Sequence, residues 1–238
     1  MADTSIDFPW FHLHWPETEK DHPSAPFALL SLAAAGDMVV KPEPGACVRE
    51  ETSRLFPGKK FIWLKQEHTH TVLEAEASAA GVDGDGLVTD NPDILIGVTV
   101  ADCMPIFLWD VRSGAKAVLH SGWKGTGISR EALKIMKTLY GTHPEDVSAI
   151  LGPSIRSCCY AVSRERAESF AEEFGEDAAF LRNGNWYIDL AAANRNILRE
   201  QGVVRIKTHP ECTACDTRFS SYRRQGKECF TRMLALCC

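Results

Sequence analysis

The sequence predicts a single α+β domain in which mixed β-strands are flanked by helices, and three observations carry that expectation. Short apolar runs bounded by turn residues recur along the chain. Three longer stretches have helical periodicity with capping residues. No Pro/Gly/Ser-rich linker divides the 238 residues, a length that buries a substantial core.

Phe61-Ile62-Trp63-Leu64, Ile94–Val100, Ile106-Phe107-Leu108-Trp109, residues 116–120 and Val147–Leu151 read as strands. Several are too continuously apolar to have a wet face, so they are expected to lie in sheet covered on both sides. Ser129 is a candidate cap for a helix whose Ala132, Ile135, Met136 and Leu139 share one stripe while Arg130, Lys134 and Lys137 face away. Ser163 precedes a second helix with Ala167, Phe170, Ala171 and Phe174, ended by Gly175. Asp189 caps a third over 190–201, stopped by Gly202. Residues 230–236 read as a closing strand. In the first sixty residues, Phe8-Pro9-Trp10-Phe11 and 27–32 are candidate strands and 48–55 a candidate helix. With no internal repeat, the fold must come from long-range strand pairing.

Composition narrows the function classes. A net charge of −6 argues against a polyanionic partner such as nucleic acid, which calls for a basic stripe, and leaves a neutral or small anionic substrate. Nine cysteines, an odd count, occur without a basic-plus-apolar leader or a long apolar segment. That combination predicts a cytoplasmic chain with no membrane anchor, its thiols free, metal-bound or buried. The oligomeric state is not readable.

Three segments present a soft or borderline metal ligand at the edge of an apolar run: Gln66-Glu67-His68-Thr69, Thr99-Val100-Ala101-Asp102-Cys103 and Leu119-His120-Ser121-Gly122-Trp123-Lys124-Gly125. Two imidazoles and a thiolate fill three corners around zinc and leave the fourth open, the pattern of a catalytic site. Singly, each residue has a plainer reading: Cys103 as a small buried thiol, His68 and His70 as ordinary surface or hydrogen-bonded histidines. Strand alternation would put Cys103 and Asp102 on opposite faces unless the chain turns, which Pro105 favours, and would put His68 and His70 on one face.

The glycine-rich turn over 122–127 joins a strand to a helix. Its N–H groups, the helix dipole and Lys124 would converge as an anion requires. The turn lacks the Walker and dinucleotide spacings, and a tight turn with Trp123 packed on the core accounts for it equally. Arg223 and Arg224, beside Tyr222, suit phosphate or a flat heterocycle, or make a solvated basic turn. Cys212-Thr213-Ala214-Cys215 is a CxxC without a second half, and the adjacent pairs Cys158-Cys159 and Cys237-Cys238 look like poor tetrahedral clips, so these thiols are expected to be structurally incidental.

Taken as an ordered set, these segments resemble the YfiH family, whose members also carry laccase-domain, polyphenol oxidase and purine nucleoside phosphorylase labels. The matching pieces are Gln66-Glu67-His68, Asp85-Gly86-Leu87-Val88-Thr89, Ala101-Asp102-Cys103, His120 with Gly122-Trp123-Lys124-Gly125, Gly152-Pro153-Ser154-Ile155 followed by Cys159-Tyr160-Ala161-Val162, and Ser221-Tyr222-Arg223-Arg224. Thr69, Ser121, Lys124 and Ala161 replace the family's glycine, alanine, arginine and glutamate, and the GGVS-type segment is absent. The resemblance implies layered mixed sheets, zinc on His68, Cys103 and His120 as the catalytic centre, and action on purine nucleosides. Phosphorolysis of adenosine, inosine, guanosine and methylthioadenosine is implied, with adenosine deamination beside it. Gly122, Lys124, Arg223 and Arg224 are then the expected substrate and phosphate contacts. Three rival readings stay open: a cysteine hydrolase with Cys103 as nucleophile and His120 or His68 as base, a copper-dependent polyphenol oxidase, and a zinc-stabilised binding module without turnover.

Overall fold

A strand without a polar face is stable only if something apolar covers each side, and the fold supplies two covers for its central strands. The computed structural model describes residues 9–16, 22–39, 47–75 and 81–238. Phe8, at the start of the first expected strand, lies outside them. In chain order the elements begin with β1 (Trp10–Leu13), β2 (Ala28–Ser31), α1 (Cys47–Leu55), β3 (Lys60–Trp63), β4 (Val72–Glu74), β5 (Gly86–Thr89), β6 (Ile94–Val100), β7 (Met104–Asp110) and β8 (Lys116–Ser121). They continue with α2 (Ile128–Tyr140), β9 (Val147–Leu151), β10 (Ala161–Val162), α3 (Arg164–Phe174), β11 (Ala179–Arg182), β12 (Asn185–Ile188), α4 (Leu190–Glu200), β13 (Arg205–Thr208), α5 (Tyr222–Gln225) and β14 (Met233–Cys237).

One sheet has the order β1-β2-β14-β6-β3, with β3 parallel to β6 and the other pairs antiparallel. A second runs β13-β9-β7-β8-β5-β4, with parallel pairs at both edges. A small antiparallel sheet, β10-β12-β11, stands apart. These mixed sheets with few helices form the single layered α+β domain that the sequence predicts.

Period-2 alternation explains the layering. In β7, Met104, Ile106 and Leu108 enter a core shared with α2, α3 and α4, while Phe107 and Trp109 enter a core shared with Ile96, Val98 and Val100 of β6. In β14, Met233, Ala235 and Cys237 join that same inter-sheet core, while Leu234 and Leu236 meet Val48 of α1 on the far side. The layers are therefore α1, first sheet, second sheet, then α2 to α4. Among the described residues no helix is long and apolar enough to cross a membrane.

The expected elements form with bounds mostly within two residues of those expected, and three expectations are corrected. Ser163 and Asp189 cap α3 and α4, accepting from the N–H groups of Arg166 and of Ala191 and Ala192. Ser129 does not cap α2. That helix begins at Ile128 with Gly127 as its cap at φ +106, so Ser129 lies in the first turn, and Leu139 is exposed rather than on the buried stripe. The closing strand starts at Met233, leaving Phe230 in the preceding loop.

Candidate metal centre and its cleft

Strand register brings the three ligand segments to one end of the second sheet. Met104 pairs with Ser121, so Cys103, one residue earlier, emerges beside His120 at the end of β8. Gly86 pairs with Leu119, and the His120 N–H donates to the Asp85 carbonyl at 2.7 Å, so Asp85 meets the same end from the other side. His68 arrives on the loop between β3 and β4, which Gln66 ties to β6: its amide donates to Thr99 O at 2.8 Å and accepts from Thr99 N at 2.7 Å. The ligand atoms of His68, Cys103 and His120 all lie within 4.8 Å of one another.

Asp85 organises the group. Its buried carboxylate accepts from His120 Nδ1 at 2.8 Å and from the N–H groups of Glu67, His68 and Thr69 at 3.3, 3.0 and 2.7 Å, with the Thr69 hydroxyl at 2.8 Å. With Nδ1–H held there, His120 has Nε2 for a metal, and the imidazole–carboxylate pair fixes the ring's tautomer and orientation. Burial works against ionisation of Asp85, but the His120 and Thr69 hydrogen bonds outweigh it and hold the acid at about 2.

The charges of the metal-free group are linked. Burial pushes the Cys103 thiol up, yet the charge and hydrogen bond of His120, with help from His68, bring it down to about 6. Burial pushes His120 down, and the Cys103 thiolate with Asp85 raises it to about 9. A thiolate beside an imidazolium can serve metal binding or nucleophilic attack. The donor set fits a divalent metal with one open corner: two borderline nitrogens and a soft sulfur, the far nitrogen of His120 already satisfied. Gly122 completes the fit, since a Cβ there would stand 2.8 Å from Cys103 Sγ.

Two residues here hold left-handed backbone, His68 at φ +59 and Asp102 at φ +78, which a non-glycine residue adopts only when its surroundings insist. Asp102 is pinned from three sides. Its carboxylate accepts from Thr213 Oγ1 and from Arg223 N, each at 2.6 Å, and its carbonyl accepts from Ile155 N at 2.9 Å. The chain therefore does turn between β6 and β7, but it uses Asp102 to anchor the turn.

The centre sits in a cleft of about 770 Å³ whose walls include Trp63, Trp123, Tyr160, Tyr222 and Phe230 and whose cations include Arg166 and Arg223. The Arg166 guanidinium lies 4.1 Å from the Trp123 ring centre. Burial and the nearby Cys103 charge push the Tyr160 phenol up to about 12, so it stays a neutral donor.

The other expected residues divide between this cleft and other parts of the fold. His70 is not on a strand with His68. Its Nε2 donates to Thr126 O at 3.0 Å, bracing the glycine-rich turn. Lys124 is exposed, 5.7 Å over the Trp123 ring, and lines a separate depression beside α3 rather than this cleft. Arg224 spends its guanidinium on the carbonyls of Thr213, Ala214, Asp216 and Phe219. Arg223 does line the cleft while bonding Cys159 O at 2.8 Å and Ala161 O at 3.2 Å. Asp85, Gln66 and Arg166 carry parts of the site that sequence reasoning did not assign. For Asp85 the available signal was an acid between two glycines at a strand start.

Comparison with known proteins bears on the fold and the family. Residues 40–238 match the family model described as multi-copper polyphenol oxidoreductase laccase. A purine nucleoside phosphorylase of Deinococcus radiodurans is 34% identical over 210 residues, covering 85% of this chain and 79% of that protein. Another from Clostridium acetobutylicum is 32% identical, covering 72% of this chain and 74% of that one. The adenosine deaminase RL5, from an unknown prokaryotic organism, is 40% identical over 64% of this chain and 61% of its own length. Among solved structures, YlmD from Geobacillus stearothermophilus superposes with a TM-score of 0.80 at 26% identity, covering 92% of this chain and 94% of that one. Protein NMB0706 of Neisseria meningitidis gives the same score and identity over 96% of this chain and 98% of that one. The chain belongs to the YfiH family.

Proposed function

We propose that this protein is a zinc-dependent purine nucleoside phosphorylase that also deaminates adenosine, acting in the cytoplasm on adenosine, inosine, guanosine and methylthioadenosine-type substrates. The observation that carries the reading is an open-cornered His68/Cys103/His120 donor set facing a cleft with both aromatic walls and guanidinium groups. The relatives' printed names, purine nucleoside phosphorylase and adenosine deaminase, supply the substrate class. Zinc bound at such a site supplies Lewis acidity and acidifies water toward neutrality.

The chain's own residues do the rest. Tyr222 and Phe230, whose rings meet edge to face at 5.1 Å, offer the purine an apolar wall. Arg166 and Arg223, which line the cleft, hold phosphate through their guanidinium groups. Tyr160, kept un-ionised, donates a hydrogen bond to the substrate. Asp102, with both carboxylate oxygens engaged, is a positioning residue.

The test is incubation of the metal-loaded protein with adenosine, with and without phosphate, followed by chromatography. Adenine released only with phosphate and inosine formed in either case are expected, both lost together with bound zinc in Cys103→Ala. Full turnover by Cys103→Ala would overturn the reading, and turnover by the natural chain that survives chelation but is lost on alkylation by iodoacetamide would favour a cysteine hydrolase. A metal analysis that returns copper, with oxidation of phenols, would favour the chemistry in the family model's description.

A further inference from the structure

The two cysteine pairs that look incidental in the sequence meet in space. The sulfurs of Cys158, Cys159, Cys212 and Cys215 all lie within 4.8 Å of one another, with 3.3 Å between Cys159 and Cys215 and 3.6 Å between Cys158 and Cys215. We propose that these four thiols form a second, structural zinc site that clasps the β9–β10 loop to the loop following β13.

Distances decide between the fates of such a cluster. Zinc–sulfur bonds of about 2.3 Å in a tetrahedron separate the sulfurs by about 3.8 Å. A disulfide needs about 2.0 Å and joins only two of the four. The observed spacing is that of a coordination sphere rather than of a bond. The adjacent pair is workable because its backbone turns: the N–H groups of Cys159 and Tyr160 both donate to Arg156 O, at 2.9 and 3.0 Å. The CxxC pair turns as well, with Cys215 N and Asp216 N donating to Cys212 O at 3.1 and 2.9 Å.

One of the four sulfurs is already furnished with N–H donors. Arg156 N donates to Cys212 Sγ at 3.4 Å, and the backbone N–H groups of Ala214 and Cys215 also face that sulfur. Four thiols give up four protons on binding Zn²⁺ and leave a net charge of −2 on the site. Cations stand ready for it. Arg182 Nη2 bonds Cys158 O at 3.1 Å and Arg223 Nη1 bonds Cys159 O at 2.8 Å. Arg156 keeps a buried Nη1 with no hydrogen-bond partner among the described residues. The site is closed, with four protein ligands, so its role is structural. One clasped loop lines the cleft and the other reaches it through Asp102. Tyr160 follows Cys159, and Thr213 beside Cys212 holds Asp102, so the second metal would set the wall that faces the first.

The experiment is zinc quantification per chain on protein purified anaerobically from zinc-supplemented medium, compared with Cys103→Ala and with the double variant Cys212→Ser/Cys215→Ser. Two zinc ions are expected in the natural chain, one in each variant, and none when all three substitutions are combined. If the His68/Cys103/His120 centre took no zinc, the natural chain would hold one ion, kept by Cys103→Ala and lost by the double variant. That outcome would sink the proposed function and leave the clasp standing. A metal content that the double variant does not change would overturn the clasp, as would a Cys159–Cys215 disulfide in the anaerobic protein. Should the double variant not fold, iodoacetamide mapping of the natural chain answers instead. Exposed Cys229 should label freely, while Cys158 and Cys215, equally exposed, should label only after chelation. Labelling of all three at one rate in the metal-loaded protein would refute the site.

Discussion

Asp85 Oδ1 stands 2.8 Å from His120 Nδ1, and the same carboxylate gathers the N–H groups of His68 and Thr69. One buried acid therefore sets the tautomer of one imidazole and the backbone of the loop that carries the other. Replacing it with the isosteric amide tests that double role. Asp85→Asn should keep the fold while weakening zinc binding at the His68/Cys103/His120 centre by about 10- to 100-fold. Competition with a chromophoric chelator would measure it, and unchanged affinity would remove Asp85 from the site.

In the metal-free protein, Cys103 ionises near pH 6 because His120 and His68 stabilise the thiolate against the cost of burial. A lowered pKa means the reactive thiolate grows as pH rises through about 6 and is nearly complete at neutrality. Alkylation of Cys103 by iodoacetamide, followed by peptide mapping, should thus reach half its plateau rate near pH 6. Bound zinc should abolish the reaction. A midpoint near that of an ordinary thiol would show that the histidines exert no such pull.

Gly122 faces the sulfur of Cys103 with no room for a methyl group. Gly122→Ala should displace the thiolate by part of an ångström and cost about 100-fold in adenosine turnover, the scale on which small misplacements act. Gly114→Ala provides the comparison, because Gly114 has φ +79 with nothing within 4 Å of its Cβ position. That variant should lose about 1 kcal/mol of stability and keep its turnover.

Arg166 lines the cleft and Lys124 does not. Arg166→Ala should raise KM for phosphate by about 10- to 100-fold, the value of one charged hydrogen-bonding partner. Lys124→Ala should leave KM for phosphate within about twofold. The reverse order would return the phosphate contact to the glycine-rich turn.

Arg224 satisfies four backbone carbonyls in the loop that follows Cys212. Arg224→Ala should cost about 1–3 kcal/mol and lower the melting temperature by several degrees, with KM for phosphate unchanged. Calorimetry beside steady-state kinetics separates this from a role in binding.

Much of the fold was legible because the signals were local. The apolar runs of β6 and β9 match their predicted bounds, and the capping oxygens of Ser163 and Asp189 do what such residues do at helix starts. Ser129 misled because the glycine before Ile128 already turns the chain, an effect of backbone freedom that a capping pattern does not register. The site was legible as a set of ligand types but not as a geometry. His68 and His70 part company because His68 takes a left-handed conformation, a choice made by Asp85 from 17 positions away. The arginines sorted into a lining residue and a loop pin only once their partners were in place. Cys158 and Cys159 find Cys215 across 57 and 56 positions, a meeting that no short spacing could announce.

β14 lies between β2 and β6, hydrogen-bonded to both. During synthesis the ribosome makes the flanking strands long before it reaches residues 233–237, so a nascent chain carries two open strand edges where the finished sheet has a seam. Such edges invite pairing with other chains. A premature stop just short of Met233 would accordingly yield aggregation-prone material in need of chaperone protection, even though His68, Cys103 and His120 had all been translated.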